Sequence, residues 1–244
     1  YEEELTGISA GISYPFSRFR RVEATTYLRY ASYKELWGEK SFSGPLVSLN
    51  LSYVKDNSIW SSTGPIDGTR QNFTIGATVH PVESTLYSSL VSVDLRRYLR
   101  LSERMCWANR LVLRGSWGIK PNLFFVGGSW SIRGYPFFYF RGSKILLANS
   151  ELRFPVLDNL VLNFPFATLH LAGLKGAVFM DAAQSWVGDE DWEEKLKNLK
   201  GSMGMGLRLN LAYYTVLRFD LAWRTDFREI ESKPRWDFFF GWDF

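Results

Sequence analysis

Alternating apolar and polar residues, repeated along almost the whole chain, are the feature that most limits its fold. One such segment places Val47, Leu49, Leu51 and Tyr53 opposite Ser48, Asn50 and Ser52. A period of two is typical of a β-strand with one apolar and one polar face. Counting comparable segments between turn-like connections predicts about eleven strands.

The apolar content of these strands indicates a membrane environment without membrane-spanning helices. Hydrophobic residues make up 46% of the 244 residues and aromatic residues 17%. No run approaches the roughly 18 consecutive apolar residues that a spanning helix needs. A transmembrane β-barrel reconciles both facts, because its strands alternate lipid-facing apolar residues with polar residues that face the lumen. A soluble β-sandwich would alternate in a similar way, so composition does not decide between the two.

Charged residues within the strands favour the barrel. In the segment 216–225, Arg218, Asp220 and Arg224 lie opposite large apolar residues, and similar opposition recurs in nearly every predicted strand. The second face of a sandwich need not repeat that pattern. The segment 236–244 places aromatic residues at alternate positions, which suits a membrane–water interface. We therefore predict an all-β fold, a transmembrane antiparallel β-barrel.

One apolar segment, 127–142, does not alternate and is predicted to be a long loop between two strands. It starts with two glycines, turns through 131–135 and ends in the aromatic run 137–140. Most connections are only a few residues long, so a long apolar loop usually has a function. Arg133 would be carried on a backbone bend into a confined space, where it needs a carboxylate partner.

Four segments, in the right order, resemble the BamA superfamily of outer-membrane assembly factors and two-partner-secretion transporters, also called bacterial surface antigens. The segment 127–135 resembles the family's loop, a Gly-Gly followed by Val/Ile-Arg-Gly-Phe/Tyr. The segment 64–70 resembles a periplasmic Pro-Thr-Asp-Gly-Ser-Arg turn, and 151–155 resembles the strand after the loop. The segment 179–183 resembles a Phe-x-Asp-x-Gly strand motif, with Ala183 in place of the final glycine.

This resemblance implies a set of site residues. The loop arginine of the family pairs with the strand aspartate inside the lumen, which here implies an ion pair between Arg133 and Asp181. The last strand resembles the assembly signal of outer-membrane proteins. The implied lumenal loop motif is Gly127, Gly128, Ile132, Arg133, Gly134 and Tyr135, the polar lumenal strand residues are Glu151 and Arg153, and the implied signal is Phe240, Gly241, Trp242 and Phe244.

The resemblance also implies an architecture and a function. Residues 1–244 would be the C-terminal eleven or so strands of a sixteen-stranded barrel in the bacterial outer membrane, without a POTRA module. The barrel would assist insertion of outer-membrane proteins or translocation of polypeptides. The alternative is a structural anchor or partner barrel without insertase activity. Expected partners are outer-membrane lipid and lipopolysaccharide, client outer-membrane proteins or secreted polypeptide, and periplasmic domains or other subunits.

Other kinds of site find little support in the sequence. His80 and His170 stand far apart without ligand spacing, so we predict no metal site. No serine lies in a nucleophile elbow, and we predict neither an enzyme nor a bound cofactor. The net charge of +4 comes from scattered basic residues, which gives no patch for nucleic acid.

Overall fold

The computed structural model describes residues 2–34, 41–61, 63–157, 160–171, 173–188, 192–212 and 215–241. Strands dominate these ranges. In chain order the elements are β1 (Glu2–Ser17), β2 (Arg20–Lys34), β3 (Ser41–Asp56), β4 (Ile59–Ser61), β5 (Gly64–His80), β6 (Thr85–Arg100), β7 (Cys106–Gly118), β8 (Phe124–Val126), β9 (Phe140–Gly142), β10 (Lys144–Leu157), β11 (Leu160–Phe164), β12 (Ala167–Leu171), β13 (Leu174–Trp186), α1 (Trp192–Lys197), β14 (Lys200–Ala212), β15 (Thr215–Thr225) and β16 (Arg235–Phe240). Within the described ranges, no helix is long and apolar enough to cross a membrane.

One antiparallel sheet contains the long strands. Its order is β1-β2-β3-β5-β6-β7-β10-β13-β14-β15-β16, and the short strand β4 pairs beside β5 as a twelfth member. Two small hairpins, β8–β9 and β11–β12, lie outside this sheet. The predicted all-β antiparallel fold, with about eleven wall strands, is confirmed.

The sheet is inverted relative to a soluble protein, with apolar residues exposed on one face and charged residues buried on the other. On the outward face, Ile8, Ile12 and Trp236 are 72%, 73% and 76% exposed. On the inward face, Glu151 and Asp181 are 0% and 1% exposed. The period of two along each strand produces this separation, and its direction is that of a barrel whose outer surface contacts lipid.

The two ends of the sheet differ. The connection 119–139 and the helix α1 lie at one end, which we call the loop end. The short connections 18–19 and 101–105 lie at the opposite, turn end.

The outermost strands leave the sheet open. Among the described residues, β1 is hydrogen-bonded only to β2 and β16 only to β15. Because β1 and β16 are the first and eleventh members of an antiparallel series, both run from the loop end to the turn end. Direct pairing between them would be parallel, unlike every other pair in the sheet.

The segment 64–70 forms more structure than the predicted turn. It begins β5, pairs with β4, and places Gly68 at a φ of +97°. Pro65 is buried, and its carbonyl oxygen accepts a hydrogen bond from Arg153 Nη1 at 3.1 Å. The segment therefore folds against the inward face of the sheet. The local sequence indicated the turn residues but not this contact with a distant strand.

Candidate functional site inside the sheet

The loop between β7 and β10 builds the site by folding back along the inward face. The hairpin β8–β9 carries the loop at its tip. Gly127, Gly128 and Gly134 have φ values of +146°, +82° and +79°, a region that side chains strongly disfavour. A Cβ on Gly127 would also overlap the carbonyl oxygen of Pro136. The glycines of the loop motif are therefore required by the backbone path.

Hydrogen bonds within the loop and one apolar cluster hold the loop in its conformation. Gly127 N donates to Ser131 Oγ at 2.8 Å, and Gly128 N donates to the carbonyl oxygen of Tyr135 at 3.0 Å. Ile132, Tyr135 and Phe140 are buried together against the wall. By contrast, Phe137, Phe138 and Tyr139 are more than half exposed, so only part of the aromatic run enters the interior.

Arg133 stands at the tip of this loop and is 1% exposed. Its Nε and Nη2 donate to the two carboxylate oxygens of Asp181 at 2.8 and 2.7 Å, and its backbone N donates to Asp181 Oδ2 at 3.1 Å. The guanidinium carbon also lies 3.5 Å from the centroid of the Phe179 ring, a cation–π contact. Arg133 and Asp181, which sequence reasoning named as partners, are thus in direct contact.

Glu151 is the second acceptor for Arg133 and is fully buried. It accepts from Arg133 Nη1, from Arg153 Nε at 2.8 Å and from Arg208 Nη2 at 3.2 Å. Three arginines therefore surround one carboxylate. Sequence reasoning placed Glu151 and Arg153 on the lumenal face but did not identify Glu151 as a partner of the loop arginine.

The network continues onto β14 and β15. Asp220 accepts from Arg208 Nη1 and from Arg218 Nη2, the latter at 3.0 Å, and Arg218 Nη2 also lies 3.4 Å from the carbonyl oxygen of Ser129 in the loop. These three strand residues were missed as site residues. The alternation of the segment 216–225 had already placed Arg218 and Asp220 on the inward face, and the same period of two along β14 was the available signal for Arg208.

Two further contacts fix the loop backbone on either side of Gly134. Gly134 N donates to Asp237 Oδ2 at 2.5 Å, and Arg224 Nε donates to the Gly134 carbonyl oxygen at 2.6 Å. The Tyr135 hydroxyl donates to the Gly201 carbonyl oxygen at 3.2 Å. Burial raises the pKa of the Tyr135 hydroxyl to about 12. Asp237 was also missed as a site residue, although the alternating aromatic residues of the last strand place it on the inward face.

Residues 2–244 match the Omp85 superfamily domain. The chain belongs to the Omp85 superfamily. The resemblance of the four segments to the BamA superfamily is thereby confirmed. Among solved structures, BamA from Haemophilus ducreyi lacking POTRA domains 1–3 is similar with a TM-score of 0.73 and 14% sequence identity. The match covers 98% of this chain and 53% of that chain. No curated protein sequence matches significantly.

The similarity shows the fold of this Omp85 chain, a BamA-like barrel wall, and nothing further at so low an identity. This chain spans about half the length of the BamA chain that it matches, at 53%. The Omp85 domain match extends over the loop, the charged network and the last strand alike. The site described above therefore lies within the family domain.

The last strand of this Omp85 chain is partly described. Phe240 is 58% exposed on the outward face, next to Phe238 at a ring-centroid distance of 4.9 Å. Gly241 adopts a φ of +139°. Trp242 and Phe244, the other two residues of the predicted assembly signal, lie outside the described residues.

The buried charges of this site hold the loop in place against the wall. Glu151, Asp181 and Asp220 each accept hydrogen bonds from at least one buried arginine. The arginines balance the charge of these buried carboxylates. Removing one partner of such a buried ion pair typically costs roughly 3–5 kcal/mol of folding stability. Among the described residues no group of three or more metal-ligating side chains lies together. The arrangement joins the loop to five strands of the wall, β10, β13, β14, β15 and β16.

Proposed function

We propose that this Omp85-superfamily barrel resides in the bacterial outer membrane and assists insertion of outer-membrane proteins or translocation of polypeptides. The observation that carries the proposal is the loop, whose Arg133 is fixed to Asp181 and Glu151 inside the sheet. Among the described residues, each edge strand of this sheet pairs with one neighbour only. A loop that occupies the interior does not suit an ordinary diffusion pore. A switchable lumenal obstruction suits a barrel that handles polypeptide.

The open edges support a larger barrel in the working protein. Backbone groups have no hydrogen-bonding partners in lipid, so both edges of a spanning sheet need another strand. Since β1 and β16 run in the same direction, an antiparallel closure requires an odd number of additional strands. In a sixteen-stranded barrel, about five strands would complete the eleven of this sheet. We propose that residues 1–244 supply only wall and lumenal loop.

The charged network supports two roles for the loop. Arg133 contacts two carboxylates on neighbouring strands, Glu151 on β10 and Asp181 on β13. Arg133 binds both carboxylates at once, and a second arrangement in which it released one of them would make the loop a two-state element. We propose that the network anchors the loop in the resting barrel and permits its displacement when a polypeptide engages. Partners then include client outer-membrane proteins or secreted polypeptide, periplasmic domains or other subunits, and the surrounding lipid and lipopolysaccharide.

Reconstitution tests this function directly. The intact protein is placed in liposomes, an unfolded outer-membrane β-barrel client is added, and the folded fraction is followed by its unheated mobility on a denaturing gel. We expect faster client folding than in empty liposomes, and slower folding with Arg133→Ala. As a matched control, Arg228→Ala removes an exposed arginine outside the network.

The competing function is a structural anchor or partner barrel. It predicts that the reconstituted protein leaves client folding at the rate of empty liposomes and passes no polypeptide, although it still needs detergent and still shifts in mobility on heating. A detergent-free, monodisperse soluble protein would contradict membrane residence and both functions with it.

A further inference from the structure

Arg97 is a charged residue on the outward face of the sheet that has no side-chain partner in the described part of the chain. It lies on β6 between Leu95 and Leu99, whose side chains share that face, and it is exposed. No hydrogen bond or ion pair joins its guanidinium to another described residue. A basic residue on the lipid face is costly in the middle of a bilayer and tolerated near its interfaces. An anionic group beside Arg97 would therefore stabilise its guanidinium at this position.

Polar residues flank Arg97 on the neighbouring strands. Thr69 of β5 and Asn109 of β7 are its direct cross-strand partners. Ser150 of β10 is opposite Asn109, and its hydroxyl oxygen accepts a hydrogen bond from Trp107 Nε1 at 2.9 Å. A guanidinium, an amide and two hydroxyls thus form one polar row across four strands. Most outward rows closer to the loop end consist of apolar residues.

The adjacent row toward the loop end is apolar and includes two alanines. Leu95 is opposite Leu111, Leu111 opposite Ala148, and Ala148 opposite Ala182. The small alanine side chains leave a cleft with a volume of about 500 Å³, flanked by Met180 and Phe227 and extending to Arg97 and Asn109. The cleft is therefore polar at its turn-end side and apolar farther into the sheet.

We propose that this cleft binds one phospholipid molecule. Its phosphate group contacts Arg97 and Asn109, and an acyl chain lies over Ala148 and Ala182. Arginine binds phosphate with two parallel hydrogen bonds, and ligand clefts are commonly apolar with a few placed polar groups. The cleft is polar near the turn end and apolar toward the middle of the sheet. A phospholipid in the leaflet at that end has its headgroup and its acyl chains in the same order. We take that leaflet as the periplasmic one, because the segment 64–70, which resembles a periplasmic turn, begins β5 at the turn end.

The inference rests on the proposed membrane residence and not on polypeptide handling. Native mass spectrometry of the intact protein in detergent, titrated with dioleoylphosphatidylglycerol, measures binding of the first lipid. We expect Arg97→Gln to raise the apparent dissociation constant about fivefold or more, the effect expected for one basic residue at an anionic surface. Arg20→Gln is the matched control, since Arg20 is an outward-facing basic residue that begins β2 and lies outside the cleft.

A second variant tests the acyl-chain part of the cleft. Ala148→Leu keeps Arg97 and fills the apolar row. It should weaken dioleoylphosphatidylglycerol while leaving dihexanoylphosphatidylglycerol unchanged, because only the long chain needs the cleft. Dioleoylglycerol, which lacks a phosphate, should bind neither protein appreciably.

Heat-dependent gel mobility confirms that each variant forms its barrel, so loss of the barrel is separated from loss of the lipid. Equal binding by wild type and Arg97→Gln would overturn the proposal. An equal loss in Arg20→Gln would also overturn it, since binding would then be a property of the basic rim. Preferential binding of lipid A over phosphatidylglycerol would overturn the assigned ligand.

Discussion

Asp181 accepts three hydrogen bonds from Arg133, and one of them comes from the backbone N–H rather than the guanidinium. It accepts a fourth from Asn149 Nδ2 at 2.8 Å. The aspartate therefore positions the loop backbone as well as the arginine side chain. Removing Asp181 and removing the Arg133 side chain are consequently different perturbations of the same contact.

We predict that Asp181→Ala releases the loop more than Arg133→Ala does. Loss of one partner from a buried pair costs roughly 3–5 kcal/mol, and the aspartate also holds the backbone N–H. Chymotryptic cleavage after Phe140, which is 5% exposed, measures release of the loop. Arg228→Ala should leave cleavage unchanged. If the double variant showed the sum of the two single effects, the two residues would not be energetically coupled.

Glu151→Gln should destabilise the folded barrel more than a comparable change at the surface. The substitution keeps the size of the side chain but removes the charge that faces Arg133, Arg153 and Arg208, leaving buried arginines short of an anion. We expect a loss of roughly 3–5 kcal/mol, measured as a lower temperature for loss of the folded gel species. Glu103→Gln, on the exposed 101–105 turn, is the control. An equal transition temperature for the two variants would contradict a structural role of Glu151.

The two edge strands should not meet in the assembled protein. With Cys106 replaced by serine, the cysteine pair Ala10→Cys and Thr26→Cys, opposite one another on β1 and β2, should form a disulfide on oxidation. A cysteine pair with one member on β1 and the other on β16, such as Ile8→Cys with Phe238→Cys, should not. A high yield of the second disulfide within one chain would show that this sheet closes on itself.

Deleting Phe244 should slow assembly in cells more than it weakens the finished barrel. The prediction comes from the resemblance of the last strand to an assembly signal, and pulse-chase measurement of the heat-modifiable form checks it. Phe238→Ala is the comparison, because Phe238 packs on Phe219 and Phe240 at 5.0 and 4.9 Å. That variant should lower stability more than it changes the assembly rate. Unchanged assembly kinetics after the deletion would contradict the signal.

Much of the wall could be predicted from the sequence because a β-strand has a side-chain period of two. Alternation alone assigned Arg218 and Asp220 to the inward face, and the turn residues separated the strands well enough to count them. The loop motif and the strand motif 179–183 also identified two residues, Arg133 and Asp181, that the structure places in contact.

Apart from the pair of Arg133 and Asp181, the tertiary structure alone decided which inward residues meet. Period gives the face of a residue but not its height in the barrel, which depends on the register of strands and the path of the loop. Gly134 and Asp237 are 103 residues apart in sequence and join only because the loop returns to the last strand. Glu151 became a partner of Arg133 for the same reason, since β10 and β13 are adjacent and the loop tip lies between their side chains. Alternation determined the faces of this protein, and register with loop path determined its site.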